Sequence, residues 1–170
     1  NTPGLRTLQF GEQLDALLGP IRARTTELDD IRQQPVPLLI KIAPDMSEDE
    51  ITLVAQSIQR NQLDGVIATN TTIERQAVED DPQSDEAGGL SGKPVFDASN
   101  RVISQLRDHL PAIPIIGVGG IDSGEAARQK LEAGADLVQL YSGLIYQGPG
   151  LINDCAAALS GTSGSKKPAA

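Results

Sequence analysis

The chain has few of the residues on which several common classes of protein depend. Among 170 residues there is no tryptophan, one cysteine and one histidine, and only 2% are aromatic. A single cysteine cannot form a disulfide within the chain and fits a reducing, cytoplasmic compartment. Without a cluster of histidine and cysteine, a transition-metal site has no support, and none is predicted. The predicted strands hold no carboxylate pair, so glycosidase chemistry has no support either.

Positive charge and long hydrophobic runs are also scarce. Lysine and arginine number 14 against 23 acidic residues, which gives a formal net charge of -9 and a pI near 4.5. Binding to nucleic acid requires a basic face, so we expect no nucleic-acid partner. No apolar stretch is long enough to span a bilayer. A local phosphate site made of backbone amides stays compatible with this charge.

Four short apolar runs end in small, polar or glycine residues, and a helical pattern follows each of them. The runs cover residues 38–43, 65–70, 115–120 and 136–143. Continuous apolar strands that alternate with helices are typical of a parallel sheet covered by helices. The sequence therefore predicts an α/β fold.

Apolar residues at helical spacing predict five helices. The first should be kinked or interrupted at Pro20, and the second begins at a capping box formed by Ser47 and Glu50. The third is predicted over about residues 97–110 and the fourth over about 122–134. The predicted inward-facing residues are Leu14, Leu17, Leu18 and Ile21 in the first helix, Ile51, Val54, Ala55 and Ile58 in the second, Val102, Ile103 and Leu106 in the third, and Ile152, Cys155, Ala156 and Leu159 in the fifth.

Four strands with their helices amount to half of a (βα)8 TIM barrel. Residues 1–6 are typical of the end of an active-site loop with no strand before it, so we expect this chain to supply the last four strands. Residues 1–159 would form that C-terminal half and residues 160–170 a disordered tail. Alone, such a half should be marginally stable or oligomeric. The alternative is an open doubly wound sheet, which four or five strands complete.

Two glycine-containing segments follow the last two strands. Gly119 and Gly120 connect a strand to a helix N-terminus, and residues 141–143 follow the next strand. Backbone amides at such positions bind phosphate, and two neighbouring segments favour the barrel, although the glycines could serve only tight turns.

Polar residues at the ends of the first two strands predict further parts of a ligand site. Lys41 interrupts an apolar strand, and a buried ammonium needs either an anionic ligand or a carboxylate partner elsewhere in the chain. Thr69, Asn70 and Thr71 supply uncharged donors and acceptors, and Asn1 offers the same chemistry. The long polar segment between residues 70 and 97 is either a lid over the ligand or a surface elaboration.

Six blocks of the sequence, taken in order, resemble dihydroorotate dehydrogenase. They are residues 1–6 (NTPGLR), 40–45 (IKIAPD), 67–72 (IATNTT), 88–92 (GGLSG), 116–122 (IGVGGID) and 141–143 (YSG). The first, fourth and last most resemble the class 2, quinone-reducing branch of the family. The resemblance implies a TIM barrel that holds FMN and oxidises dihydroorotate to orotate in pyrimidine (UMP) biosynthesis, with a quinone as electron acceptor. It also implies a peripheral protein on the cytoplasmic side of the inner membrane, docked through a preceding N-terminal part, whereas this fragment would be soluble.

The resemblance also implies the roles of particular residues. Those expected to bind FMN are Lys41, Thr69, Gly92, Gly119, Gly120, Tyr141, Ser142 and Gly143. Those expected to bind the orotate ring are Asn1, Asn70 and Thr71. The catalytic base of this class is a serine two positions before Asn1, so no catalytic residue is expected in this chain, and we expect the fragment alone to be inactive.

Two other functions remain open on the residues alone. A phosphate-binding TIM-barrel isomerase or lyase would use the same glycine segments without flavin. A non-catalytic binding module would need no missing half, and it should unfold cooperatively by itself.

Overall fold

The computed structural model describes residue 8 and residues 11–160. Strands and helices alternate along the chain, as the sequence predicts, in the order α1 (Gly11–Arg32), β1 (Leu39–Ile42), α2 (Glu48–Arg60), β2 (Gly65–Ala68), α3 (Phe96–His109), β3 (Ile115–Val118), α4 (Gly124–Glu132), β4 (Leu137–Gln139), α5 (Ser142–Gln147) and α6 (Gly150–Ser160). Two 3-10 helices, Gln76–Val78 and Lys93–Val95, lie between β2 and α3. Residues 1–6 and all but the first residue of the predicted tail fall outside the described residues.

The four strands form one parallel sheet in the order β1-β2-β3-β4. Each strand pairs with the next one in the sequence, and Lys41, Ile67, Ile116 and Leu137 lie in one row across the sheet. A doubly wound sheet reverses its strand order at a switch point, whereas a barrel keeps sequential order throughout. The described sheet is therefore part of a barrel, and the doubly wound alternative is wrong.

The helices cover one face of the sheet. Because successive strand residues point to opposite faces, Ile40 and Ile42 face the helices while Leu39 and Lys41 face the other way. The main core joins this covered face to α1, α2 and α3, and its members include Leu14, Leu18, Ile42, Ile51, Val54, Ile58, Val66, Ala68, Val102, Ile103, Leu106 and Ile115. The opposite face is more open: Lys41 is exposed, and Leu137 is 60% exposed.

The helix start signals predicted from sequence are present. Ser47 Oγ accepts a hydrogen bond from Glu50 N at 3.3 Å, and Ser47 N donates to Glu50 Oε2 at 2.8 Å, which completes the capping box of α2. Ser123 caps α4 in the same way, because its Oγ accepts from Ala126 N at 3.2 Å.

Two predictions about the buried faces of the helices are wrong. Leu17 and Ile21 are 46% and 38% exposed, because α1 packs mainly on α2 through Leu14 and Leu18. The same helix continues through Pro20, so of the two predicted effects of that proline the interruption does not occur. In α6 the buried residues are Leu151 and Cys155, while Ile152 and Ala156 are exposed, since the helix packs on α4 along a different stripe.

The chain turns into α5 directly at Ser142, where the sequence indicated only the end of a strand. Within the described part of the chain, no helix combines the length and the hydropathy needed to cross a membrane.

Candidate active site

A pocket of about 300 Å³ lies where the carboxyl ends of the four strands meet. This is the face on which TIM barrels build their active sites, because the loops that follow the strands converge there. Its lining consists of Lys41, Thr69, Asn70, Thr71, Ser91, Gly92, Val95, Val118, Gly119, Gly120, Ile121, Gln139, Tyr141, Ser142 and Gly143.

The pocket brings together residues that are distant in the sequence, from Lys41 to Gly143. Every residue predicted to bind the cofactor lines it, as do Asn70 and Thr71 from the set predicted to bind the substrate. Asn1 lies outside the described residues.

Lys41 is in the pocket, but it is not buried as the sequence indicated. The side chain is exposed, whereas its neighbour Ile42 is 1% exposed in the core. The reason is that successive side chains of a strand point to opposite faces of the sheet, and Lys41 points to the face that the helices leave uncovered. An exposed ammonium at a strand end needs no internal carboxylate partner and can serve an anionic or electron-rich ligand.

Hydrogen bonds to neighbouring strands hold the segment after β2 in place. Thr69 N donates to Val118 O at 2.9 Å, and Asn70 N donates to Ile42 O at 2.7 Å, so both neighbouring strands support it. The peptide bond between Ala68 and Thr69 is cis. Thr71 N donates to Asn70 Oδ1 at 2.9 Å, which orients the Asn70 amide at the pocket.

The segment after β3 requires glycine for steric reasons. Gly119 and Gly120 have φ values of +118° and +71°, which side chains rarely adopt. A Cβ at Gly119 would lie 3.1 Å from Val95 Cγ1, and one at Gly120 would lie 2.6 Å from Phe96 Cβ. The glycine backbone therefore rests directly on the first turn of α3 and presents main-chain groups to the pocket.

Two polar residues of the pocket were missed at the sequence level. Ser91 Oγ accepts a hydrogen bond from Ser142 Oγ at 2.9 Å, which joins the long loop to the start of α5. Gln139 is exposed at the end of β4 and also lines the pocket. The criterion that selected Lys41, a polar residue in an apolar strand, would have selected Gln139 too.

A buried lysine behind the glycine segment was missed as well. Lys130 of α4 is 0% exposed, and its Nζ donates to Phe96 O at 3.3 Å and lies 4.6 Å from the centre of the Phe96 ring. Burial lowers the pKa of Lys130 to about 7, and the nearby Asp97 carboxylate opposes that shift only partly. Its position beside Ala126 and Ala127 on the buried face of α4 was the available signal.

Comparison with known proteins gives one family. The family model for dihydroorotate dehydrogenase matches residues 1–161. A dihydroorotate dehydrogenase (quinone) from Vibrio atlanticus is 55% identical over 155 residues, which cover 91% of this chain and 46% of that protein. The protein of the same name from Cupriavidus taiwanensis is 54% identical over 162 residues, covering 95% of this chain and 47% of the relative.

Solved structures give the same result. The crystal structure of DHODH from Eimeria tenella in complex with ferulenol matches with a TM-score of 0.87 at 31% identity, over 95% of this chain and 47% of that one. The ligand-free form matches with a TM-score of 0.84 at 30% identity, over 97% and 49%. The chain thus spans about half the length of the relatives it matches.

Proposed function

This chain belongs to the dihydroorotate dehydrogenase family, and we propose that residues 1–159 are the C-terminal half of the barrel of an enzyme that binds FMN. The proposed enzyme oxidises dihydroorotate to orotate and passes the electrons to a quinone, as the name of its bacterial relatives indicates. The observation that carries the proposal is the convergence of all the described residues predicted for flavin and orotate on one pocket at the strand ends.

The groups at one end of the pocket fit a phosphate. Gly119 and Gly120 bring main-chain groups to the pocket, and the hydroxyls of Ser91 and Ser142 lie beside Gly92. Main-chain amides and hydroxyls bind phosphate without needing a basic surface, which agrees with the acidic composition of the chain.

The groups at the strand ends fit the ring of a flavin. The ammonium of Lys41 supplies a positive charge, and Thr69, which follows the neighbouring strand β2, lines the same pocket. When bound, FMN would supply a two-electron acceptor for hydride. Lys41 would stabilise negative charge on that ring, and the Asn70 and Thr71 side chains would bind the polar edge of orotate.

The proton-transfer step needs a base that these residues do not supply. We propose that the base is the serine that the family pattern places two positions before Asn1, so this chain would provide binding groups only. The proposed route to a membrane quinone, and any docking to a membrane surface, would likewise use residues that precede this chain.

The test is a visible absorption spectrum of the natural protein that carries this chain, recorded before and after anaerobic addition of dihydroorotate. We expect a flavin band that bleaches, because hydride reduces the bound ring. The 170-residue chain, treated in parallel, should leave added FMN oxidised. A colourless natural protein, or a flavin that stays oxidised, would contradict the proposed activity, and bleaching by the 170-residue chain would contradict the proposed place of the base.

A pair of lysine variants tests the pocket itself. Lys41→Ala should weaken FMN binding by about tenfold or more, since a hydrogen bond to a charged group contributes about 1.5–3 kcal/mol. Lys93→Ala removes the same charge from an exposed lysine that does not line the pocket, and it should leave the affinity unchanged. Equal losses in both variants would mean that Lys41 acts only through overall charge.

A further inference from the structure

The long segment between β2 and α3 forms a closed loop. Thr72 N donates to Leu90 O at 3.0 Å, and Leu90 N donates to Thr72 O at 2.7 Å, so an antiparallel bridge joins the two ends. At the same base, Asp45 accepts hydrogen bonds from Thr72 Oγ1 and from Ile73 N, the latter at 3.1 Å. A compact loop whose ends meet in this way is an Ω-loop. We refer to residues 73–89 as the Ω-loop.

A single side chain fills the Ω-loop. The guanidinium of Arg75 donates to five backbone carbonyls, on both sides of the loop. These are Ser84 O at 3.1 Å from Nε, Thr72 O at 3.3 Å and Glu74 O at 3.4 Å from Nη1, and Glu86 O at 3.2 Å and Gly88 O at 2.7 Å from Nη2. A guanidinium has five N–H groups in a fixed plane, one on Nε and two on each Nη, and this loop matches that pattern.

The Ω-loop has little other support from the rest of the molecule. A groove of about 460 Å³ is lined by Gln76 and Ala77 from the loop, by Pro94 from the 3-10 helix before α3 and by Ala98 from the first turn of α3. Most of the loop's own side chains are exposed, including the acidic run of residues 79–81. Its shape therefore depends on hydrogen bonds inside the loop rather than on apolar packing.

The shape of the Ω-loop affects the pocket, because the residues that follow the loop in the sequence line the pocket. Ser91 and Gly92 follow Leu90 directly, and both line the pocket. Ser91 also accepts the hydrogen bond from Ser142. A change in the path of the loop would move the backbone at both residues.

We propose that Arg75 is a positioning residue of the pocket. By binding carbonyls from both sides of the Ω-loop, it holds Ser91 and Gly92 against the site, so ligand affinity depends on a side chain that does not line the pocket. The inference rests on the proposed function only for the choice of FMN as the probe.

The experiment compares the natural protein that carries this chain with its variants Arg75→Lys and Arg75→Ala. Lysine keeps the positive charge but has three donors on one atom, so it cannot reach both sides of the loop. Both variants should bind FMN about tenfold more weakly, equivalent to about 1.4 kcal/mol. Both should also be cleaved faster by a glutamate-specific protease at Glu79 and Glu86. Circular dichroism verifies that the variants are folded.

The matched control is Arg24→Lys, which removes a guanidinium from an exposed ion pair with Glu27 on α1. This variant should keep both the affinity and the cleavage rate of the original protein. Unchanged FMN affinity in Arg75→Ala would overturn the proposal. Weaker affinity without faster cleavage would also overturn it, because the arginine would then act without the loop. If Arg75→Lys kept the full FMN affinity, the positive charge alone would be needed, and this result too would overturn the proposal.

Hydrogen–deuterium exchange separates this proposal from the proposed function. The backbone amides of residues 90–92 should exchange faster in both Arg75 variants, whether or not any flavin binds. If the natural protein binds no FMN, the proposed function loses its support, and the exchange rates still decide the role of Arg75. Unchanged exchange in both variants would overturn that role.

Discussion

At the scale of single residues, two independent constraints confine position 120 to glycine. Its φ of +71° is strained for any residue with a Cβ. The second constraint is steric, because a Cβ at this position would lie 2.9 Å from Phe96 Cα. Gly148 has nearly the same φ, +74°, but a Cβ there would meet nothing within 4 Å. The two positions therefore separate backbone strain from steric overlap.

We expect Gly148→Ala to lower the free energy of unfolding by about 1–3 kcal/mol, because its φ of +74° and ψ of -176° fall in a backbone region that glycine occupies almost alone. Gly120→Ala should cost about 1–3 kcal/mol more than Gly148→Ala, because overpacking against the α3 backbone is added to backbone strain. Urea unfolding of both variants measures the difference. FMN titration should show weaker binding for Gly120→Ala alone, and equal costs would refute the steric argument.

At the scale of elements, α3 and α4 meet at a buried charge. Lys130 of α4 donates a hydrogen bond to the first carbonyl of α3, and Gly120 lies against the same residue, Phe96. A lysine in this position is costly, since burial disfavours its charged form and the positive end of the α3 dipole lies nearby. The carbonyl and the Phe96 ring offset part of that cost.

The stability of the chain should depend on pH because of Lys130. The pKa of Lys130 is about 7 in the folded state, below its ordinary value of 10.5, and Asp97 is the charged group that opposes the shift. Between these pH values the unfolded chain binds more protons, so this group makes stability rise with pH from about 7 to about 10.5. Below about pH 7 its contribution is constant and unfavourable.

Lys130→Met tests this pH dependence. The variant should be more stable than the original chain at pH 6 by about 1–3 kcal/mol, because a buried charge is replaced by an apolar side chain of similar length. The rise in stability between pH 7 and 10 should disappear. Denaturant unfolding across this range measures both effects, and an unchanged slope would show that Lys130 does not titrate there.

At the scale of the whole molecule, the dominant feature is the uncovered face of the sheet. In the described residues, β1 and β4 each pair with a single neighbour, and the row from Lys41 to Leu137 faces away from the helices. In a complete barrel such a row faces the other strands across the interior. This arrangement fits a chain that spans about half of its relatives.

Two apolar positions on opposite faces test that arrangement. Ile115→Ala should cost about 2–5 kcal/mol in the 170-residue chain, because this side chain is 0% exposed in the core. Leu137→Ala should cost less than about 1 kcal/mol there, since Leu137 is 60% exposed. In the natural protein, Leu137→Ala should cost more. Urea unfolding measures all three costs. A large cost of Leu137→Ala in the 170-residue chain would mean that another copy of the chain already covers the face on which Leu137 lies.

Local signals in the sequence predicted most of the fold. The apolar runs gave the four strands, and the serine caps gave the starts of α2 and α4, because both depend on neighbouring residues alone. They failed for the buried faces of α1 and α6, where the packing partner selects the buried stripe. The residues predicted for the candidate site within the described part of the chain line one pocket, because most of them lie at or just after the carboxyl ends of parallel strands, which meet at one edge of the sheet.

The sequence alone determined which residues could meet at the pocket, and the tertiary structure decided which of them are buried. Two lysines show the difference. Lys41 lies in an apolar strand and is exposed, whereas Lys130 lies on an amphipathic helix and is fully buried. Burial is set by what covers each face, and for Lys130 the covering atoms come from Phe96, which is 34 positions away. Such a contact between distant segments exists only once the sheet and its helices have packed together.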